Sequence, residues 1–205
     1  MSITLIIIVF TVAVSLYASE NLEVKRKLIF NPYQVLNHKQ YYRAFTHAFI
    51  HADLMHLGIN MFVLYFFGRN VEYYFQVQFP EMAKTYFILL YVGGIIFATF
   101  PALYKHKDNP GYNSLGASGA VSAVLFSAII LDPTNTIYIY AFLPMPAILF
   151  GVLYISYEMY MDKNGRTNIA HDAHIIGAVF GIIFTILLSP SNVISNFIQS
   201  ISTII

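Results

Sequence analysis

The strongest constraint on this chain is the alternation of apolar runs with short polar stretches that hold most of the charge. Runs at about 3–18, 55–76, 85–104, 118–131, 137–160 and 169–188 are each dominated by aliphatic and aromatic residues with Ala and Gly. A helix of roughly twenty such residues spans a bilayer core and satisfies its own backbone there, which an open sheet or loop cannot do. Only 10% of the 205 residues are charged and 58% are apolar, a balance foreign to a soluble domain. The expectation is an all-α polytopic membrane protein, one domain over residues 1–205, with six transmembrane helices. Net charge is +1 and the charges lie between the runs, so no basic face for nucleic acid forms and membrane lipid is the expected surrounding. Cysteine is absent, which excludes disulfides, thiolate nucleophiles and cysteine metal sites.

Taken in order, the first run is read as a transmembrane helix. Residues 19–54 mix Lys25-Arg26-Lys27, an amphipathic patch and Tyr41-Tyr42-Arg43, as in a folded loop lying in the bilayer interface. The fourth run has only about fourteen residues, too few to cross a full hydrocarbon core, so it should be recessed behind a water-filled depression. Pro144 and Pro146 fall inside the fifth run and predict a kink there. The uncharged tail from Ser191 to Ile205 is expected to lie in the interface.

The fourth run opens with Gly116-Ala117-Ser118-Gly119-Ala120. Small neighbours leave the Ser118 hydroxyl uncovered and admit a second backbone. Ser118 reads either as a helix cap or as a nucleophile. His174 stands near the start of the sixth run, with Gly177 and Gly181 one and two turns on, a small-residue spacing that lets a helix approach closely. Gly119, Ala120 and Ala123 offer an equally small partner face. If the two faces meet, Ser118 and His174 come together at one depth, and the imidazole can take the hydroxyl proton as the serine attacks a carbonyl. That pairing favours catalysis over a structural hydrogen bond.

Acyl transfer also needs donors aimed at the developing oxyanion. His56 and Asn60 in the second run are four residues apart, about 40° around a helix, and point together into a bundle; they serve either as such donors, with the Ser118 N–H, or as glue between helices. No acidic third member is evident: Asp172 lies about 200° around the helix from His174 and reads as a first-turn carboxylate. A Ser–His dyad is the consistent reading. A histidine metal site built from His47, His51, His56, His171 and His174 is the competing class, but no His-Glu-x-x-His occurs and no carboxylate lies mid-span to complete it.

Together these residues resemble the rhomboid family of intramembrane serine proteases, over roughly Phe30 to Pro190. The likeness rests on Gly116-Ala117-Ser118-Gly119, on Ala173-His174 with Gly177 and Gly181, and on His56 with Asn60. Arg43, His47 and His51 in the first loop and Gly68 and Glu72 in the second run add to it. The resemblance implies a six-helix bundle that cuts transmembrane protein substrates without metal or cofactor. Ser118 would be the nucleophile, His174 the general base, His56 and Asn60 the oxyanion stabilisers, and the fifth helix the entry gate. A rhomboid-like protein that binds membrane proteins without cutting them is the alternative. Where many members place an aromatic residue four positions after the serine, this chain has Ser122, whose hydroxyl offers a hydrogen bond to His174 as one substitute for ring stacking and whose role the sequence leaves open.

Orientation is contested by the charges. Lys25, Arg26, Lys27, Lys39, Arg43, Lys105, Lys107, Lys163 and Arg166 fall on the side where Ser118 opens, against Arg69 and Lys84 on the other. The positive-inside rule would put the site in the cytoplasm. The resemblance implies the opposite, a multi-pass protein of the plasma (inner) membrane with its site facing outward, and this is the expectation adopted, because much of the first-loop charge belongs to a folded interfacial element.

Overall fold

A computed structural model describes residues 2–139, 142–165, 169–188 and 190–202. Arg166 and residues 203–205 of the tail lie outside them. The chain is mostly helical: α1 (Ile3–Glu20), α2 (Leu22–Leu28), α3 (Pro32–Asn37), α4 (Arg43–Thr46), α5 (Leu54–Gln78), α6 (Ala83–Ala98), α7 (Phe100–Lys105) and α8 (Ser118–Leu131). A hairpin of β1 (Thr136–Ile139) and β2 (Leu143–Pro146) follows, then α9 (Ala147–Asn164), α10 (His171–Leu188) and α11 (Pro190–Ser202). Among the described residues, α1, the joined α6–α7 stretch Ala83–Lys105 and α10 are long and apolar enough to cross a membrane. A fourth span arises if α5 is joined to the bent segment Arg43–Phe49 before it.

The centre of the bundle is α8. Every residue from Gly119 to Ile129 is buried, as expected for a helix apolar on all sides and surrounded by others. Its fourteen residues rise about 21 Å, well short of a hydrocarbon core of roughly 30 Å. Small residues set how closely its neighbours approach. A Cβ on Gly177 would stand 2.1 Å from the Gly119 carbonyl oxygen, and one on Gly181 2.1 Å from that of Ala123. From the other side, a Cβ on Gly94 of α6 would meet the Ala120 Cα at 2.9 Å. The small faces expected on α8 and α10 therefore do meet, backbone against backbone. Leu64 and Val71 of α5 and Phe87 and Leu90 of α6 fill the core around them.

The segment between α1 and α5 is folded. Buried Arg43 donates through Nη1 to the carbonyls of Arg26 and Ile29, both at 2.8 Å, pinning α4 to the end of α2. Phe30 pairs with Ser114 through two backbone bonds of 3.0 Å, and the Asn31 amide donates to the Pro110 and Tyr112 carbonyls. The first loop thus grips the strand-like approach to α8. At the opposite end, the Glu72 carboxylate accepts from the Ile3 N–H at 2.6 Å and from the Ser2 hydroxyl. The start of α1 and the start of α8 are at opposite ends of the bundle.

The fifth run differs from expectation. Instead of a helix over 137–160 kinked at its prolines, Thr136–Ile139 pairs with Leu143–Pro146 and α9 begins at Ala147. Pro144 and Pro146 have no N–H to continue a helix, and they are tolerated in a two-stranded edge. The Ala147 N–H donates to the Asn135 carbonyl at 2.8 Å and that of Ile148 to Pro133 at 2.9 Å, which fastens the new helix start to the end of the hairpin's approach.

Candidate active site

Ser118 is the first residue of α8, and the cap position belongs to Ala117, which makes no side-chain capping bond. The Ser118 hydroxyl is free for other work: its Oγ lies 2.7 Å from His174 Nε2. The contact follows from the packing already described, since Gly177 stands one turn beyond His174 and presses on the residue next to Ser118.

The approach to Ser118 is held in detail by the first loop. The Gly116 N–H donates to the His47 carbonyl at 3.0 Å, and the Ala117 N–H to His51 Nε2 at 3.3 Å. Only a neutral His51 can accept there, so its proton sits on Nδ1, 3.3 Å from the Ser15 hydroxyl of α1. Burial, reinforced by His56 nearby, pushes the His51 imidazole down to about 4. Gly116 has φ +118°, and a Cβ there would collide with the His56 ring at 2.7 Å. Glycine is required at this place, and it brings His56 against the backbone that enters the nucleophile.

Ser118, His174, His56 and Asn60 line one cavity of about 730 Å³. Asn60 donates to the His56 carbonyl at 2.9 Å through Nδ2, leaving its Oδ1 and second N–H. The N–H groups of Ser118, Gly119 and Ala120 have no acceptor within α8, as in any first helical turn. The four residues singled out from sequence are thus brought to one chamber.

Three features were not foreseen. Ser122 contacts the Tyr154 hydroxyl of α9 at 3.0 Å rather than His174. Asp172 turns away to Lys105, 2.8 Å from its Nζ. Against the expectation that no carboxylate is placed to join the histidines, Glu158 of α9 does so, with a side chain only 5% exposed. Its Oε2 accepts from His171 Nδ1 at 2.6 Å, and its Oε1 lies 3.0 Å from His174 Nδ1, close but out of line for a well-formed hydrogen bond. With the helix start placed at residue 137, Glu158 looks like an end residue in the interface; a start at Ala147 moves it inward.

Of the histidines considered for a metal, His171 and His174 join Glu158 with donor atoms within 4.8 Å of one another. His51 and His56 stack edge to face at 5.0 Å elsewhere, and His47 faces the Arg43 carbonyl. The Glu158 group is close enough to enclose a cation, but its members already face one another and His174 faces Ser118. It is read as a polar network.

Comparison with known proteins gives the family. The rhomboid domain model matches residues 38–191, about three quarters of the chain. The chain is 35% identical over 149 residues to "RHOMBOID-like protein 12, mitochondrial" of Arabidopsis thaliana, covering 67% of this chain and 44% of that protein. It is 30% identical over 140 residues to "Presenilin-associated rhomboid-like protein, mitochondrial" of Bos taurus, covering 66% and 35%. The human protein of that name is 29% identical over the same length. The matches thus span less than half the length of these relatives. With several membrane-length helices and a domain match that includes both Ser118 and His174, this multi-pass helical membrane protein belongs to the rhomboid family.

Proposed function

We propose that the chain is an intramembrane serine endopeptidase that hydrolyses peptide bonds in or near transmembrane segments of membrane proteins. The observation that carries this reading is the 2.7 Å contact between Ser118 Oγ and His174 Nε2 at the wall of a chamber shared with His56 and Asn60. As Ser118 Oγ bonds to the substrate carbonyl carbon, its proton passes to His174 Nε2. His56, Asn60 and the Ser118 N–H stabilise the oxyanion. The C–N bond then breaks, and the proton moves from His174 to the leaving amine. Water entering from the loop side repeats the sequence on the acyl-enzyme, with His174 taking its proton. No metal or cofactor takes part in these steps.

In this reading α1, α5, the α6–α7 stretch, α8, α9 and α10 are six spans, and the segment from α2 to α4 lies in the interface. The site opens on the side away from the N-terminus, outward from the plasma (inner) membrane. The relatives named above are mitochondrial by name, so protease accessibility of N- and C-terminal tags in intact cells and isolated organelles tests membrane and side together.

The activity is tested by reconstituting the protein in liposomes with a labelled single-span peptide and mapping the products by mass spectrometry. One cut in or beside the span, absent with Ser118→Ala, is expected. Intact peptide with a folded wild-type protein would turn the assignment toward a rhomboid-like binder that does not cut.

A further inference from the structure

We propose that Glu158 is a positioning residue for His174, making the site a Ser–His–Glu relay in which the third member comes from α9; this rests on the protease reading above. A base that takes a proton on Nε2 must carry its own proton on Nδ1, and something must hold it in that form. Glu158 Oε1 is the acceptor at hand, 3.0 Å from His174 Nδ1. His171 fixes the carboxylate from the other side through its 2.6 Å bond to Oε2, so the group cannot swing free. His171 and His174 are three residues apart and share one face of α10, which lets a single carboxylate reach both.

The carboxylate is presented on a docked helix. One turn before Glu158, Tyr154 meets Ser122 of α8 at 3.0 Å, and the Tyr154 ring packs on Phe126 of α8. In a side chain only 5% exposed, one oxygen bonds the His171 ring and the other lies against His174 Nδ1, where a small turn of the imidazole brings the pair into line. An ionised group is costly to bury without partners, so this placement calls for a use beyond filling space. When Ser118 hands its proton to Nε2, the imidazolium forms with a fixed negative charge behind it. Glu158 does not take the proton; it orients the ring and offsets the charge.

The test is the kinetics of fluorophosphonate labelling of the full chain in detergent, separated into the binding constant KI and the chemical step kinact. Glu158→Gln is expected to lower kinact at least about 100-fold with KI unchanged, the pattern when a histidine is left in the wrong tautomer. Glu158→Asp, which keeps the charge on a shorter stem, is expected to recover part of the rate. Glu158→Met, similar in size, takes the place of the glutamine variant if that one does not fold. Wild-type kinact in a folded Gln or Met variant, with labelling abolished by Ser118→Ala and His174→Ala, overturns the role of Glu158 alone. Labelling that survives those two substitutions overturns the protease reading beneath it.

Discussion

Gly177→Ala tests whether close helix contact is what assembles the site. The added Cβ would sit 2.1 Å from the Gly119 carbonyl oxygen and 2.9 Å from its carbon, both backbone atoms that cannot rotate aside. To restore ordinary contact near 3.4 Å, α8 and α10 must separate locally by about 1.3 Å. Ser118 neighbours Gly119 and His174 lies one turn from Gly177, so the same displacement stretches the 2.7 Å contact toward about 4 Å, beyond the reach of proton transfer. Misplacement on the order of 1 Å costs about 100-fold in rate, and overpacking costs about 1–3 kcal/mol of stability or more. The assay is fluorophosphonate labelling rate beside melting temperature in detergent. Gly58→Ala is the control, because a Cβ there meets nothing within 4 Å. A Gly177→Ala protein that labels and melts like wild type would show that the close contact of α8 and α10 does not set the Ser118–His174 distance.

Arg43→Ala removes three hydrogen bonds, to the Gln40 side chain and to the Arg26 and Ile29 carbonyls, and strands those two carbonyls. A loss of about 2–4 kcal/mol is expected, read as a lower melting temperature, and an unchanged melt would deny the first loop its role in holding the bundle. Acid should weaken the fold through His51. Its folded value near 4 lies below the ordinary value of about 6.5, so the unfolded chain takes up the proton first as pH falls. Stability is full above about 6.5 and declines toward 4; His51→Gln should show a shallower decline between pH 7.5 and 4.5, and an identical slope would count against the assignment.

Much of the site was legible because it depends on local rules. Gly177 and Gly181 announce a close helix contact by spacing alone, and that contact is what brings His174 to Ser118. His56 and Asn60 share a helix face by the same arithmetic. What stayed hidden depends on where elements begin and on which distant groups they meet. Hydropathy runs unbroken through Ile137 to Phe150, so the pairing of β1 with β2 left no trace except its two prolines, which equally suit a kink. That error concealed Glu158. A Glu flanked by Tyr157 and Met159, with two histidines three residues apart in the following run, was the available signal. The grip of His47 and His51 on Gly116 and Ala117 is a tertiary contact across more than sixty residues, and no pattern along the chain encodes it.

The most direct test of the central claim is to label the purified protein with a fluorophosphonate and map the modified residue by peptide mass spectrometry. A single adduct on Ser118 is expected, unaffected by a metal chelator and absent from both Ser118→Ala and His174→Ala. No adduct on folded protein, or an adduct on another residue that persists in those variants, would contradict it.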